Sequence, residues 1–172
     1  LNVDEGPSPA IAGPDQTVCN QNSVTLGATP PVIGNGIWSL VSGPNSPVFS
    51  DARAANSTLS GLITGEYILE WTTSTGINCP TNQDQMTVKV TEVAAAGSDY
   101  ATCLEGPLYL TGNPISTGIW IYVSGGAGAP TITTTSNNSA AVTNLIPGVY
   151  VFRYTIAAQG LCPETSDDIQ VT

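Results

Sequence analysis

The sequence predicts an all-β protein made of two tandem β-sandwich domains. Glycine and proline number 18 and 13 among 172 residues, which disfavours long helices. Short segments rich in β-branched residues alternate with turn residues at roughly ten-residue intervals, the spacing typical of a sandwich. The same set of motifs also occurs twice in the same order, so the pattern describes two copies of one fold.

The internal duplication sets the domain boundaries. Because the matched segments are co-linear over nearly the whole chain, we predict one domain over 1–91, with its core from about residue 9, and a second over 92–172. The junction near 92–94 is short and apolar, so we expect the two domains to stack end to end. The matched segments are 12–15 with 96–99, 17–19 with 101–103, 36–38 with 118–120, 62–67 with 145–150, and 79–80 with 162–163.

Six strands are predicted in the first copy, and the fifth shows the clearest alternation. Its apolar residues occupy every second position, as in a strand with one buried face. The corresponding strand of the second copy alternates in the same way, with Tyr150, Phe152 and Tyr154 inward and Arg153 outward. The predicted strands of the first copy are 23–28, 36–41, 47–50, 57–62, 66–73 and 85–91.

Two details indicate an immunoglobulin-like sandwich. Trp38 and Trp120 lie at the position of strand C, the third strand of that fold and the central position of its core. The segment 145–150, Leu-Ile-Pro-Gly-Val-Tyr, has the form of a tyrosine corner, in which a tyrosine hydroxyl reaches the backbone upstream. We therefore expect Trp38, Trp120, Tyr67 and Tyr150 to form the structural core.

The charge composition excludes several classes of function. The chain has 3 basic and 13 acidic residues and no histidine, for a net charge of −10. A nucleic-acid partner needs clustered Lys and Arg, and histidine-based catalysis or metal ligation needs histidine, so we expect none of these functions.

No apolar stretch approaches the length of a membrane span, so we expect no direct membrane insertion. The N-terminus has no signal-peptide pattern. We interpret the chain as an excised piece of a longer secreted protein.

Four cysteines at repeat-matched positions predict disulfides and an oxidising compartment. The simple pairing is within each repeat, Cys19 with Cys79 and Cys103 with Cys162, at spacings of 60 and 59. However, a sandwich could place the two cysteines of one repeat at opposite poles, too far apart to bond. The alternative joins Cys19 to Cys162 and leaves Cys79 and Cys103 for flanking repeats, and free thiols are a third reading.

Recurring carboxylates are the candidate metal ligands. Asp15 and Asp84 of the first copy match Asp99 and Asp167 of the second. Carboxylates with backbone carbonyls could begin a Ca²⁺ shell near a domain pole, while the plainer interpretation is solvated acidic turns. We expect no other cofactor.

Catalysis and sugar binding are the remaining functional hypotheses. The alternation directs Trp38, Trp71 and Trp120 inward, which favours core packing over a sugar-stacking platform. A glycosidase needs two carboxylates facing each other in a cleft, and sandwiches of this size have little room for one. We therefore expect no enzymatic activity, with a carbohydrate-binding or other ligand-binding module as the alternative to a structural segment.

The sequence resembles the PKD-like immunoglobulin repeats of giant surface adhesins of gliding Bacteroidetes, the SprB-like adhesins. The resemblance rests on Ala-Gly-Pro-Asp-Gln-Thr-Val-Cys at 12–19, on Gly-Ile-Trp, on Leu-x-Pro-Gly-x-Tyr at 145–150, and on a late cysteine before a valine-rich strand. It implies export by the type IX pathway and display on the surface of a Gram-negative outer membrane. It also implies a role in adhesion or gliding, with neighbouring repeats and surface polysaccharide or another extracellular ligand as partners.

Overall fold

A computed structural model of the chain describes residues 5–76, 79–103, 106–114 and 117–172. The chain divides into two compact units, Leu1–Thr91 (unit 1) and Glu92–Thr172 (unit 2). The described residues are organised in β-strands, and the prediction of two tandem immunoglobulin-like sandwiches is confirmed. Among the same residues, no helix has the length and apolar character needed to cross a bilayer.

Unit 1 consists of two facing sheets. One sheet has the strand order β1-β7-β6-β3 and the other β2-β5-β4, which is the division expected of an immunoglobulin-like sandwich. All neighbouring strands are antiparallel except β1, which runs parallel to β7. The strands are β1 Gln16–Cys19, β2 Ser23–Thr25, β3 Asn35–Ser42, β4 Val48–Phe49, β5 Thr58–Ser60, β6 Gly65–Ser74 and β7 Asn82–Thr91.

Unit 2 repeats this arrangement. Its sheets have the orders β13-β12-β9 and β10-β11-β8, with antiparallel neighbours throughout. The place of β1 is taken by an isolated parallel bridge between Tyr100 and Val171. The strands are β8 Leu108–Thr111, β9 Ile119–Gly125, β10 Thr131–Thr134, β11 Ser139–Thr143, β12 Tyr150–Ile156 and β13 Thr165–Val171.

Each core is centred on an aromatic pair between two adjacent strands. In unit 1, Trp38 of β3 lies opposite Trp71 of β6, with ring centroids 5.1 Å apart, and both are at most 2% exposed. In unit 2, Trp120 of β9 lies opposite Tyr154 of β12 at the same 5.1 Å. Each central tryptophan also donates its indole N–H to a backbone carbonyl, so the polar group of the ring is satisfied inside the core.

A glycine two residues before each central tryptophan provides the space for its aromatic partner. A Cβ atom added at Gly36 would overlap the ring of Trp71, and one added at Gly118 would overlap the ring of Tyr154. The repeated Gly-Ile-Trp motif is therefore a packing motif. The glycine accommodates the ring from the next strand, and the tryptophan lies beside that ring.

We predict that Trp38→Ala and Trp120→Ala each lower the free energy of unfolding by about 3–5 kcal/mol, the usual effect of emptying a large buried aromatic site. Urea denaturation monitored by circular dichroism measures the change. Ile121→Ala is the matched control, because Ile121 is 47% exposed on β9. A tryptophan variant as stable as this control would contradict the central position of the ring.

We also predict that Gly36→Ala and Gly118→Ala destabilise their units by about 1–3 kcal/mol, because overpacking forces a buried ring to move. The control is Gly106→Ala, since a Cβ at Gly106 meets no atom within 4 Å. Thermal unfolding of the three variants should separate the first two from the third. Equal melting temperatures would show that the rings do not need this space.

Candidate functional site

The corner tyrosines and the cysteines lie toward the two ends of each unit. In unit 1, Gly65 at the start of β6 pairs with Val90 near the end of β7, and Thr73 pairs with Asn82 at the other end. We call the end that holds the start of β6 or β12 the corner pole. The opposite end, with the β6–β7 or β12–β13 loop, is the loop pole.

A tyrosine corner stabilises each corner pole. The Tyr150 hydroxyl donates to the carbonyl of Ile146 at 2.9 Å and accepts from its N–H at 3.0 Å. The Tyr67 hydroxyl accepts from the N–H of Ile63 at 2.9 Å and donates to Oδ1 of Asn45 at 2.6 Å. The rings of Tyr67 and Tyr150 are both buried, at 0% and 3% exposure. The loop before β6 or β12 is therefore held against a fixed hydroxyl in both units.

The two cysteines of unit 1 lie at opposite poles. Cys19 ends β1 and is in register with Thr91, the last residue of β7, at the corner pole. Cys79 precedes Asn82, the first residue of β7, at the loop pole. A strand of ten residues extends over about 30 Å. A disulfide requires Cα atoms within about 7 Å, so Cys19 and Cys79 cannot bond without unfolding the unit.

Unit 2 shows the same separation. The N–H of Thr102, the residue before Cys103, donates to the carbonyl of Thr172 at the corner pole, whereas Cys162 precedes the start of β13 at the loop pole. The structure contains disulfide-bonded Cys19 and Cys162, while Cys79 and Cys103 have free thiols. The predicted pairing within each repeat is therefore wrong. The bonded cysteines are the first of the two in unit 1 and the second of the two in unit 2, as the alternative pairing of Cys19 with Cys162 requires.

The recurring aspartates hold the N-terminal segment of each unit against its last strand. Asp84 accepts from the N–H of Ala12 at 2.7 Å, and its counterpart Asp167 accepts from the N–H of Ala96 at 2.8 Å. From the opposite side, Asp15 accepts from the N–H of Thr87, and Asp99 accepts from the N–H of Gln170, both at 2.8 Å. These charge-assisted bonds give the four carboxylates a structural role that the sequence pattern did not reveal.

The calcium interpretation stays a prediction. Among the described residues, no group of three or more acidic or cysteine side chains is placed to hold a metal ion. Each of the four aspartates already uses one oxygen on a backbone N–H. A Ca²⁺ ion would therefore have to share these carboxylates and take most of its ligands from carbonyls and water.

We predict that Asp84→Ala and Asp167→Ala cost about 1–3 kcal/mol of stability, because each leaves the N–H of a buried alanine without its acceptor. Glu66→Ala, an exposed substitution on β6, is the control. Chemical denaturation of the three variants, with and without millimolar calcium, measures the effect. A calcium-dependent rise in wild-type stability that both aspartate variants lose would favour the metal-site interpretation instead.

The tryptophans do not form an exposed platform. Trp38, Trp71 and Trp120 are 2%, 0% and 6% exposed. The exposed aromatic side chains among the described residues are Tyr109, at 65%, and Tyr100, at 38%. A sugar-stacking surface would have to be built on these tyrosines.

An apolar cavity of about 500 Å³ opens at the corner pole of unit 2. Its lining includes the exposed Cys103, the buried Leu108, and Ile146 and Val149, which are 45% and 44% exposed. The corner pole of unit 1 has a smaller cavity of about 280 Å³, lined in part by Leu62 and Ile63. No sequence motif predicts this cavity. Its one signal was the replacement of Glu66 in the first copy by Val149 in the second.

The exposed face of unit 2 also carries an ion pair. Arg153 contacts Asp168 across β12 and β13 through two hydrogen bonds of 2.6 and 2.8 Å. The guanidinium holds the pKa of the Asp168 carboxyl below its usual value, chiefly through this hydrogen bond. Both side chains are about two-fifths exposed, so solvent screens the pair.

Comparison with known proteins supports a PKD- and immunoglobulin-like module. The family described as K319L-like, PKD domain, matches residues 12–90, within unit 1. The chain is similar to the titin fragment A168169, with a TM-score of 0.53, 10% identity, and coverage of 97% of this chain and 98% of that one. It is similar to the insect immune protein hemolin, with a TM-score of 0.53, 10% identity and 99% coverage of this chain, and it spans 48% of the hemolin chain.

A third similar structure is the PKD domain from the KIAA 1837 protein. It is 24% identical to this chain, with a TM-score of 0.43, and the match covers 53% of this chain and 93% of that domain. No curated protein matches the sequence. At these identities, the likeness to titin and hemolin concerns the fold. Domains of this type with a disulfide are typical of extracellular proteins.

Proposed function

We propose that this chain is a non-catalytic repeat segment of a secreted cell-surface adhesin, serving as a spacer and adhesion unit in surface attachment or gliding motility. The observation that carries the proposal is that duplication has kept the interior while the exposed face has diverged. Trp38 and Tyr67 have buried counterparts in Trp120 and Tyr150. On the outward positions of β6 and β12, by contrast, Glu70 is matched by Arg153.

This pattern supports a structural role because a catalytic site shared by two copies would need the same polar groups in both. The acidic and thiol side chains that recur are the four aspartates and the cysteines. The aspartates bond the backbone within their own units, and Cys19 and Cys162 are disulfide-bonded. Their recurrence is therefore explained by folding and covalent linkage without a reaction.

The disulfide and the domain type support the cell-surface location, since both are characteristic of oxidising compartments. Attachment to the outer membrane of a Gram-negative bacterium and export by the type IX pathway complete the proposal. They rest on the resemblance of both repeats to SprB-like adhesin repeats. Neighbouring repeats of the same protein and a surface polysaccharide are the partners that such a segment would meet.

The proposal predicts no turnover of glycosidic, peptide or ester substrates by the purified chain. A substrate screen with chromogenic and polysaccharide substrates measures this, with Asp84→Asn and Asp167→Asn as test variants and the exposed Asp168→Asn as control. Turnover that the first two variants abolish while Asp168→Asn retains it would overturn the proposal. Circular dichroism of each variant establishes that lost activity is not lost fold.

The second candidate function is a carbohydrate-binding module, and the exposure of Tyr109 on β8 favours it. Aromatic rings stack on sugar faces, so binding through this surface should depend on the Tyr109 ring. Titration calorimetry against soluble polysaccharides tests it, with Tyr109→Ala beside the control Ile121→Ala. Binding lost in the tyrosine variant alone would favour the ligand module over the spacer.

A further inference from the structure

We infer that the corner pole of unit 2 is a docking site for the loop pole of another repeat of this type, fastened by a disulfide between Cys103 and the late cysteine of that repeat. In a second copy of this chain the late cysteine with a free thiol is Cys79. The inference rests on the proposed spacer function and adds to it a specific head-to-tail linkage.

Cys103 lies where its own unit supplies no partner thiol. It is exposed at the corner pole, and its repeat-equivalent at the corner pole of unit 1 is Cys19, which is disulfide-bonded. The other cysteine of unit 1, Cys79, is about one ten-residue strand away and free. The fold therefore gives a corner-pole cysteine no partner thiol within its own unit, and the thiol of Cys103 is free.

A loop-pole cysteine is disulfide-bonded as well. Cys162, the other disulfide-bonded residue, comes from the loop pole of its repeat. The free thiol at the equivalent place in unit 1 is Cys79, which is partly exposed and lies 4.0 Å from the carbonyl oxygen of Glu5. One free thiol thus remains at a corner pole and the other at a loop pole, and the two disulfide-bonded cysteines likewise come one from each kind of pole.

The surface around Cys103 is apolar and concave. The cavity beside it measures about 500 Å³, against about 280 Å³ at the corner pole of unit 1. Ile146 and Val149, which line the cavity, are each nearly half exposed to solvent. An exposed apolar cavity next to an exposed thiol favours a protein surface as the occupant, since burying these two residues removes apolar area from water.

Formation of this bond needs an oxidant, and a low-molecular-weight disulfide such as oxidised glutathione supplies it. The Cys103 thiolate attacks the glutathione disulfide, forming a mixed disulfide and releasing one glutathione thiolate. The Cys79 thiolate of the second copy then attacks the sulfur of Cys103 and releases the other glutathione. Two protein thiols lose two protons and two electrons, and one glutathione disulfide becomes two thiols.

The test mixes two single variants of the full chain. Cys79→Ser retains only the Cys103 thiol and Cys103→Ser retains only that of Cys79, while Cys19 and Cys162 stay intact in both. Equal amounts, one of them labelled with ¹⁵N, are incubated with oxidised glutathione, and the dimers are counted by mass spectrometry without reduction. Docking predicts mixed dimers in about tenfold excess over either homodimer, a preference worth about 1.4 kcal/mol.

A surface variant tests the cavity independently of the thiols. Val149→Asp introduced into the Cys79→Ser chain should abolish the excess of mixed dimers, whereas the control Ile121→Asp, exposed on β9, should leave it unchanged. A random distribution of dimers, or an excess that survives Val149→Asp, would overturn the inference. The spacer function is tested separately, by the absence of catalytic turnover. Failure of the disulfide linkage would therefore leave the spacer function standing.

Discussion

The pair of facing aromatic rings at the centre of each unit is the interaction on which the rest of the fold depends. Trp38 with Trp71, and Trp120 with Tyr154, occupy paired positions on adjacent strands at the same 5.1 Å centroid distance. In each pair, one ring fills the space left by a glycine two residues before the central tryptophan, so a shift in register would bring a side chain into that ring. That register in turn decides which residues reach the two poles, and therefore where the tyrosine corners and cysteines lie.

Much of this fold could be predicted from the sequence, because the strongest signals are local. The predicted strand 66–73 is β6, and 36–41 is β3, each lengthened by a few residues. The strand β1 was not predicted, since Gln16–Cys19 has only four residues and gains its structure from pairing with β7, more than seventy residues away. Such a partner leaves no periodic pattern in the short segment itself.

The cysteines and aspartates show where sequence reasoning reached its limit. Nearly equal spacings within the repeats favoured an internal disulfide, but the ten-residue last strand of unit 1 separates its two cysteines too widely. That distance depends on the fold and cannot be obtained from the spacing in sequence. The aspartates were identified as a recurring set and interpreted as turns or metal ligands. Their hydrogen bonds to Ala12 and Ala96 depend on how the N-terminal segment crosses the last strand, which a motif does not encode.

The parallel pairing of β1 with β7 has a mechanical consequence for unit 1. When tension is applied between the ends of the unit, β1 is drawn toward the loop pole and β7 toward the corner pole, along the common strand axis. The hydrogen bonds between Gln16–Cys19 and the end of β7 are then loaded in shear, all together, and cannot open one at a time like a zipper. Asp15 and Asp84 add bonds across the same seam. The first and last segments of the unit thus form a clamp whose geometry is suited to bearing load.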